Sequence, residues 1–341
     1  MSLKKILVVD DSAFMRKIIT EQINKISGFE VVATAHDGEA SLWKIERFKP
    51  DAITLDVEMP GMNGLETLKK IREKWDIPVF MLSSVQGQDI TIAALEAGAI
   101  DFIEKPKNLR ERPREFQEEL TQHLEAVFET RSRKVRDKQS NEPLTQTNSI
   151  PRVKKEAVVI GASTGGPKAL IEIIECLPQD LSLPIFIVQH MPKGFTTSFA
   201  KRLNNHTKRP VVEAKNGEPI IPGTIYLAPG DYHMVIDGKF IRLTQGPKVQ
   251  RMRPAVDVLF ESAVKRYGSN LLAVVLTGMG RDGTEGMQMV KDVGGHTIAQ
   301  NEESCVVYGM PGNAVAAGVV DMSVDLKTIG EIINEVAQVN K

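Results

Sequence analysis

Short apolar runs recur along this chain, separated by longer stretches whose apolar residues fall three or four positions apart. The runs read as strands buried on both faces and the stretches as amphipathic helices covering them, so their alternation predicts parallel βαβ units. From Lys4 to about Arg131 the predicted strands are Ile6–Asp10, Val31–Ala35, Ala52–Asp56, Val79–Ser83 and Phe102–Glu104. Between them DSAFMRKIITEQINKI, GLETLKKIREKW and DITIAALEAGA carry the helical spacing, and a last helix is expected near Arg114 to Thr130. Five strands predict a small doubly wound domain.

The rhythm then stops. Residues 131–152 hold few large apolar side chains and no aromatic one, but many charges, Asn, Gln, Ser and Thr, which is the composition of a linker. Alternation resumes with strands expected near Ala157–Ile160, Ile185–Gln189, Ile225–Ala228, Leu272–Leu276 and His296–Ala299. YHMVIDGKFIRL interrupts them as a hairpin, because two β-rich runs flank an Asp237-Gly238 turn. The expected organisation is α/β throughout: a flavodoxin-like domain over 1–130, a polar linker over 131–152, and a larger Rossmann-like domain over 153–341. Both domains are doubly wound on parallel sheets, the second with an antiparallel hairpin.

Composition narrows the classes of function. A length of 341 residues favours two cores over one. The formal net charge of -1 gives no electrostatic case for nucleic acid, and the second half lacks a basic helix-turn-helix, which disfavours a DNA-binding output. The two cysteines, Cys176 and Cys305, cannot make a disulfide framework and are expected as small buried hydrophobes in a reducing compartment. Only four consecutive apolar residues precede the aspartate pair near the N-terminus, and no run approaches the roughly 18 of a membrane span. The chain is expected to be cytoplasmic, with no direct membrane insertion.

In a doubly wound sheet, chemistry collects at the carboxyl ends of the strands. Asp10 and Asp11 end the first predicted strand, Asp56 the third and Ser83 the fourth, and Lys105 follows the fifth. One aspartate alone reads as a helix cap, but this many chemistry-bearing residues at one edge read as a pocket. Three carboxylates there call for a hard cation, and Mg²⁺ prefers such ligands. Asp56 would then act as nucleophile toward a phosphoryl donor, with Ser83 and Lys105 holding the transferred oxygens. ILVVDDSAFMR, ITLDVEMPGMNGLE, MLSS and GAIDFIEKP resemble the receiver domain of bacterial two-component signalling over residues 4 to about 128. That resemblance implies phosphorylation at Asp56, Mg²⁺ on Asp10 and Asp11, contacts from Ser83 and Lys105, Phe102 as an aromatic switch, and a histidine kinase as phosphodonor.

In the second half GASTGG, residues 161–166, follows the apolar run Ala157–Ile160. Such a turn binds a dinucleotide or presents a nucleophile beside a helix N-terminus. A dinucleotide site requires a carboxylate at the end of the next strand, and that strand, IFIVQ, ends instead in His190. A histidine there is what a serine nucleophile at Ser163 needs. LTGMGRDG supplies Asp282 at the same edge to orient the imidazole, although its plainer role is N-cap of a helix starting near Thr284. The backbone N–H groups of Thr164 and Met279 are the expected oxyanion donors. The order Ser163, His190, Asp282 differs from those of the familiar serine-hydrolase folds.

VVIGASTGGPKAL, IVQHMP, YLAPGDYHM, RPAVDVLF, LTGMGRDG and SCVVYGMPGNA, spanning most of 157–320, resemble the chemotaxis receptor methylesterase family, CheB. The resemblance implies glutamate methyl-ester hydrolysis and glutamine deamidation on methyl-accepting chemotaxis receptors, with Ser163 as nucleophile, His190 as general base and Asp282 as orienter. It also implies that the unphosphorylated receiver restricts entry to the esterase site, and no cofactor is implied for the ester chemistry itself. Arg281, and Gly312-Asn313 after Met310-Pro311, depart from the usual pattern. Arg251 and Arg253 could bind an acidic receptor helix, against the plainer reading of a solvated charged face. The Met-rich GMQMVKD reads as helix core.

Overall fold

The computed structural model describes residues 3–84, 87–105, 113–137, 154–178 and 180–338. The chain divides into two compact units, residues 1–125 and 126–341.

The first unit runs β1 (Lys4–Val9), α1 (Ala13–Ile23), β2 (Phe29–Ala35), α2 (Gly38–Phe48), β3 (Ala52–Asp56), α3 (Gly64–Lys74), β4 (Val79–Ser83), α4 (Gln88–Glu96) and β5 (Asp101–Glu104) into α5 (Pro113–Asp137). The sheet is parallel in the order β2-β1-β3-β4-β5. β3 and β4 are buried at every residue, which is why they are apolar apart from Thr54 and the terminal Asp56 and Ser83. Polar caps start α1, α2 and α3: Ser12, Asp37 and Asn63 each accept from an amide of the first turn, and Glu66 completes a capping box with Asn63. The order of strands reverses between β1 and β3, and a crevice opens there at their carboxyl ends.

The second unit is built on β6 (Ala157–Ala162), α6 (Gly166–Glu175), β7 (Ile185–Gln189), α7 (Phe195–Asn205), β8 (Val211–Glu213) and β9 (Ile225–Leu227). There follow β10 (His233–Asp237), β11 (Phe240–Thr244), α8 (Val256–Tyr267), β12 (Leu271–Val275), α9 (Thr284–Asp292), β13 (His296–Gln300), α10 (Met310–Ala316), β14 (Met322–Val324) and α11 (Leu326–Gln338). Seven parallel strands lie in the order β14-β13-β12-β6-β7-β9-β8. The chain starts at β6, fills one side, then crosses to the other through β12, so the switch point lies between β6 and β12. The hairpin β10–β11 forms a two-stranded sheet of its own, and Gly238 takes φ +60° in its turn.

The two edge strands β8 and β14 were not anticipated. Each has three residues, too few to display a period, and β14 is only half-buried. The last helix of the first half runs on to Asp137 instead of stopping near Thr130, so the first seven residues assigned to the linker are helical. Arg and Lys there are good helix formers, and Arg133 pairs with Glu129 one turn back. Residues 138–152 of the expected linker lie outside the described residues.

Helix α8 lies close against β6 and α9 because a glycine of each faces it. A Cβ on Gly161 would sit 2.4 Å from Val256 Cγ1, and one on Gly286 would sit 2.5 Å from Phe260 Cβ. Val256 and Phe260 are fully buried. Gly161→Ala is therefore expected to destabilise the second unit by about 1–3 kcal/mol through overpacking. Adding Val256→Ala should recover part of that loss in thermal unfolding, whereas simply additive losses would show that the contact does not set the spacing.

Candidate functional site

At the crevice of the first unit, Asp10 and Asp56 are buried and Asp11 is exposed, and one oxygen of each lies within 4.8 Å of the others. Lys105 Nζ stands 2.7 Å from Asp10 Oδ2 and 2.7 Å from Asp56 Oδ2. The Ser12 amide donates to Asp10 Oδ1 at 2.9 Å and the Glu58 amide to Asp56 Oδ1 at 3.2 Å. Burial pushes the Asp56 carboxyl up to about 6, against the opposing pull of Lys105 and with a further push from Asp10. Burial disfavours the charged Lys105, but the two carboxylates outweigh it and hold its ammonium above the ordinary range. Oxygen donors of this kind, clustered with a surplus of negative charge, fit a hard divalent cation. Ser83 ends the neighbouring β4, where its hydroxyl lies 2.6 Å from Thr91 Oγ1 and donates to Ser84 O. Phe102 is buried on β5.

In the second unit Ser163 follows β6, His190 follows β7 and Asp282 lies in the turn after β12. β6 and β7 pair in register up to Ala162 opposite Gln189, and the His190 amide donates to Ala162 O at 3.0 Å, so Ser163 and His190 leave adjacent strands together. His190 Nε2 donates to Asp282 Oδ2 at 2.8 Å, with both side chains buried. His190 Nδ1 is buried and has no protein partner among the described residues. Asp282 also accepts from the Val256 amide (2.7 Å) and the Asp257 amide (2.9 Å). Burial pushes its carboxyl up, but the His190 ring and these two amides outweigh it and hold it below the usual carboxylate range. Asp282 thus caps α8; helix α9 does begin at Thr284, but its cap is not this carboxylate.

Gly165 takes φ +78° as α6 begins, and a Cβ there would meet Val306 at 2.6 Å. Ser163 therefore stands just ahead of a helix N-terminus, with positive field directed at it. The Met279 amide has no acceptor among the described residues. Its turn is pinned from both ends, since the Gly278 amide donates to Val307 O at 3.0 Å and the amides of Gly309 and Met310 donate to Gly278 O.

Several residues hold this edge in ways the sequence does not mark. Thr277 Oγ1 donates to Thr164 O at 2.9 Å and accepts from the Val307 amide, tying three turns together, and Gln300 Oε1 accepts from the Thr277 amide. Gln189 Nε2 donates to Ser163 O at 2.9 Å. Asn313, one of the departures from the family pattern, donates from Nδ2 to Gly280 O at 2.9 Å. Only position could have revealed them: each uses an amide or hydroxyl to bind backbone, and no residue type advertises that.

The remaining residues fall elsewhere. Arg253 is committed to Asp231 Oδ1 (2.6 Å) and to the carbonyls of Gln245 and Gly246, which makes it a brace of the hairpin exit. Arg251 sits at φ +68° in an exposed turn. Arg281 is exposed and pairs with Glu285. Cys305 is buried as expected, and burial pushes its thiol far up, while Cys176, at the end of α6, is exposed. In GMQMVKD, Met287 is core but Met289 is exposed.

A family model described as CheB methylesterase matches residues 158–333, and one described as response regulator receiver domain matches residues 6–114. The chain is 43% identical over 338 residues to a protein-glutamate methylesterase/protein-glutamine glutaminase of Clostridium acetobutylicum, covering 98% of each chain. It is 44% identical over 339 residues to the protein of that name from Salmonella typhimurium, covering 97% of this chain and 96% of that one. Among solved structures, the Thermotoga maritima CheB methylesterase catalytic domain matches at 44% identity and a TM-score of 0.52, covering 54% of this chain and 99% of that one.

The buried acidic crevice makes a direct prediction. In metal-free protein, carboxyl-carbon NMR should find Asp56 titrating near 6. Lys105→Met should move that titration upward, because the ammonium favours the carboxylate. Titration at the ordinary aspartate value in both proteins would remove burial as the controlling influence.

Proposed function

Because the chain belongs to the CheB methylesterase family and carries a receiver domain in its first unit, we propose that Ser163, His190 and Asp282 perform its chemistry and that Asp56 receives the phosphoryl group that regulates it. The protein is a phosphorylation-regulated protein-glutamate methylesterase and protein-glutamine glutaminase. Its substrates in this reading are methyl-accepting chemotaxis receptors, and its phosphodonor is the histidine kinase of the same pathway. No helix among the described residues is long and apolar enough to cross a membrane.

The observation that carries the reading is the 2.8 Å hydrogen bond from His190 Nε2 to buried Asp282, at the sheet edge that also bears Ser163. With Nε2 held by the carboxylate, Nδ1 is the nitrogen left to take a proton. Ser163 Oγ attacks the side-chain carbonyl of a methylated glutamate as Nδ1 of His190 accepts its proton. The C–O bond to methanol then breaks, with the imidazolium returning that proton to the leaving oxygen. Water, deprotonated by the same ring, hydrolyses the acyl-Ser163 ester and frees glutamate. A glutamine side chain follows the same course with ammonia as the leaving group. The amides of Thr164 and Met279 stabilise the oxyanion, aided by the N-terminus of α6.

In the receiver, Asp10, Asp11 and Asp56 would hold Mg²⁺, which supplies the positive charge that lets an anionic donor approach a carboxylate nucleophile. Lys105, already bonded to Asp56, is placed to hold a transferred oxygen, with the Ser83 hydroxyl turning from Thr91 to do the same. Ser83 and Phe102 would re-pack when the phosphoryl group arrives and so relay the switch.

Ser163→Ala and His190→Ala should retain the fold and lower methanol release from methylated receptors by roughly four orders of magnitude or more. Near wild-type turnover in either folded variant would remove that residue from the mechanism. Acetyl phosphate should label the protein only with Mg²⁺ and raise methanol release, and Asp56→Asn should abolish both effects. Equal labelling of that variant would place the phosphoryl group on another residue.

A further inference from the structure

Two consecutive helices of the second unit begin without caps of their own. The N-cap residue of α8 is Ala255 and that of α9 is Gly283, and neither makes a side-chain cap bond. Their orphan amides are satisfied crosswise. Asp282, just before α9, accepts from Val256 and Asp257 at the start of α8. Asp257, in the first turn of α8, accepts on Oδ1 from Gly283 (2.9 Å) and Gly286 (2.8 Å) at the start of α9. The exchange needs the two helix starts in close contact, and glycine provides it: a Cβ on Gly283 would lie 2.9 Å from Val256 Cγ1.

We infer that Asp257 is the positioning residue of the hydrolytic site, holding Asp282 against His190 by closing this reciprocal pair of caps. The inference rests on the reading of Ser163, His190 and Asp282 as the reacting group. The logic is geometric. Asp282 sits in a turn of glycines at 278, 280 and 283, two of them at positive φ, where the backbone by itself specifies little. Three donors fix its carboxylate, and two of them are amides of α8. Among the described residues, the hydrogen bonds from the α9 start back to α8 all end on Asp257 Oδ1, which receives both the residue after Asp282 and the one four after it. Gln250 Nε2 reaches its other oxygen at 3.4 Å. Without Asp257 the Asp282 turn would be joined to α8 from one side only. Its carboxyl is raised by burial first, then by the charge of Asp282 and a side-chain hydrogen bond to it, with a smaller push from Glu285, against the opposing pull of the Gly286 amide. An asparagine, which retains an acceptor oxygen and carries no charge, is accordingly a conservative replacement.

The test is a cycle of variants in the full chain, measured by methanol release from methylated receptors, with folding checked by circular dichroism. Asp257→Ala should lower kcat on the order of 100-fold, as misplacement of a catalytic group does, and leave KM within about twofold. Asp257→Asn should recover most of that loss, because the two α9 amides keep their acceptor. In an Asp282→Asn background, itself lowered by about four orders of magnitude, Asp257→Ala should cost almost nothing further, since its effect passes through Asp282. Unchanged kcat in folded Asp257→Ala, or the same fold-loss with and without the Asp282 carboxylate, would overturn the inference. Failure of the underlying triad reading looks different: Asp282→Asn alone would then turn over near the wild-type rate.

Discussion

The buried carboxylate of Asp282 is the group on which the second unit turns. An ionised carboxyl out of water is expensive unless donors surround it. This one is met by an imidazole N–H and two helix amides, which hold it in its charged form. Those donors come from the residue after β7 and from α8, so the requirement dictates where α8 must begin and how near it lies to β6. The glycines at 161, 283 and 286 are consequences of that closeness, as each leaves room for a side chain of α8.

Both units place their reactive groups at the carboxyl edge of a parallel sheet, yet they treat charge in opposite ways. In the receiver, buried carboxylates crowd round a single ammonium, and Asp56 is left with its carboxyl raised to about 6. That is a site under-supplied with positive charge, suited to taking a divalent cation and an anionic donor together. In the esterase unit the Asp282 carboxylate is met by three protein donors, which outweigh its burial and keep it charged. In the proposed reading it orients the His190 ring and leaves the nucleophilic role to the Ser163 hydroxyl. On that reading, one architecture serves phosphoryl acceptance and acyl transfer, according to how far the protein neutralises its buried acids.

Much of this was legible in the chain because buried parallel strands must be apolar throughout and their ends must carry the chemistry. Ala52–Asp56, Val79–Ser83 and Ile185–Gln189 were readable residue for residue, and the residue following the last of them, His190, stood out because a dinucleotide site would need a carboxylate there. The three-residue strands at Val211 and Met322 were not legible, since they have no room for a period. Helix α5 overran its predicted end because a charged stretch of Arg and Lys suits a solvated helix as well as a linker. Asp282 was noticed for the right turn, but its cap lies on α8, 25 residues back at Asp257. The bonds of Thr277, Gln189 and Asn313 were not legible for a related reason: they reach backbone brought near only by the fold.

The central claim is that ester and amide substrates pass through one acyl-Ser163 intermediate at this edge. Hydroxylamine competes with water for such an intermediate, so the most direct measurement is the ratio of hydroxamate to free acid formed at one hydroxylamine concentration. It should be measured for a receptor glutamate methyl ester and for the glutamine at the same position. A shared acyl-enzyme predicts the same ratio for both, because the leaving group has departed before the nucleophiles compete. Ratios that differ between the two substrates would mean that water attacks the substrate directly, and that Ser163 is not the nucleophile.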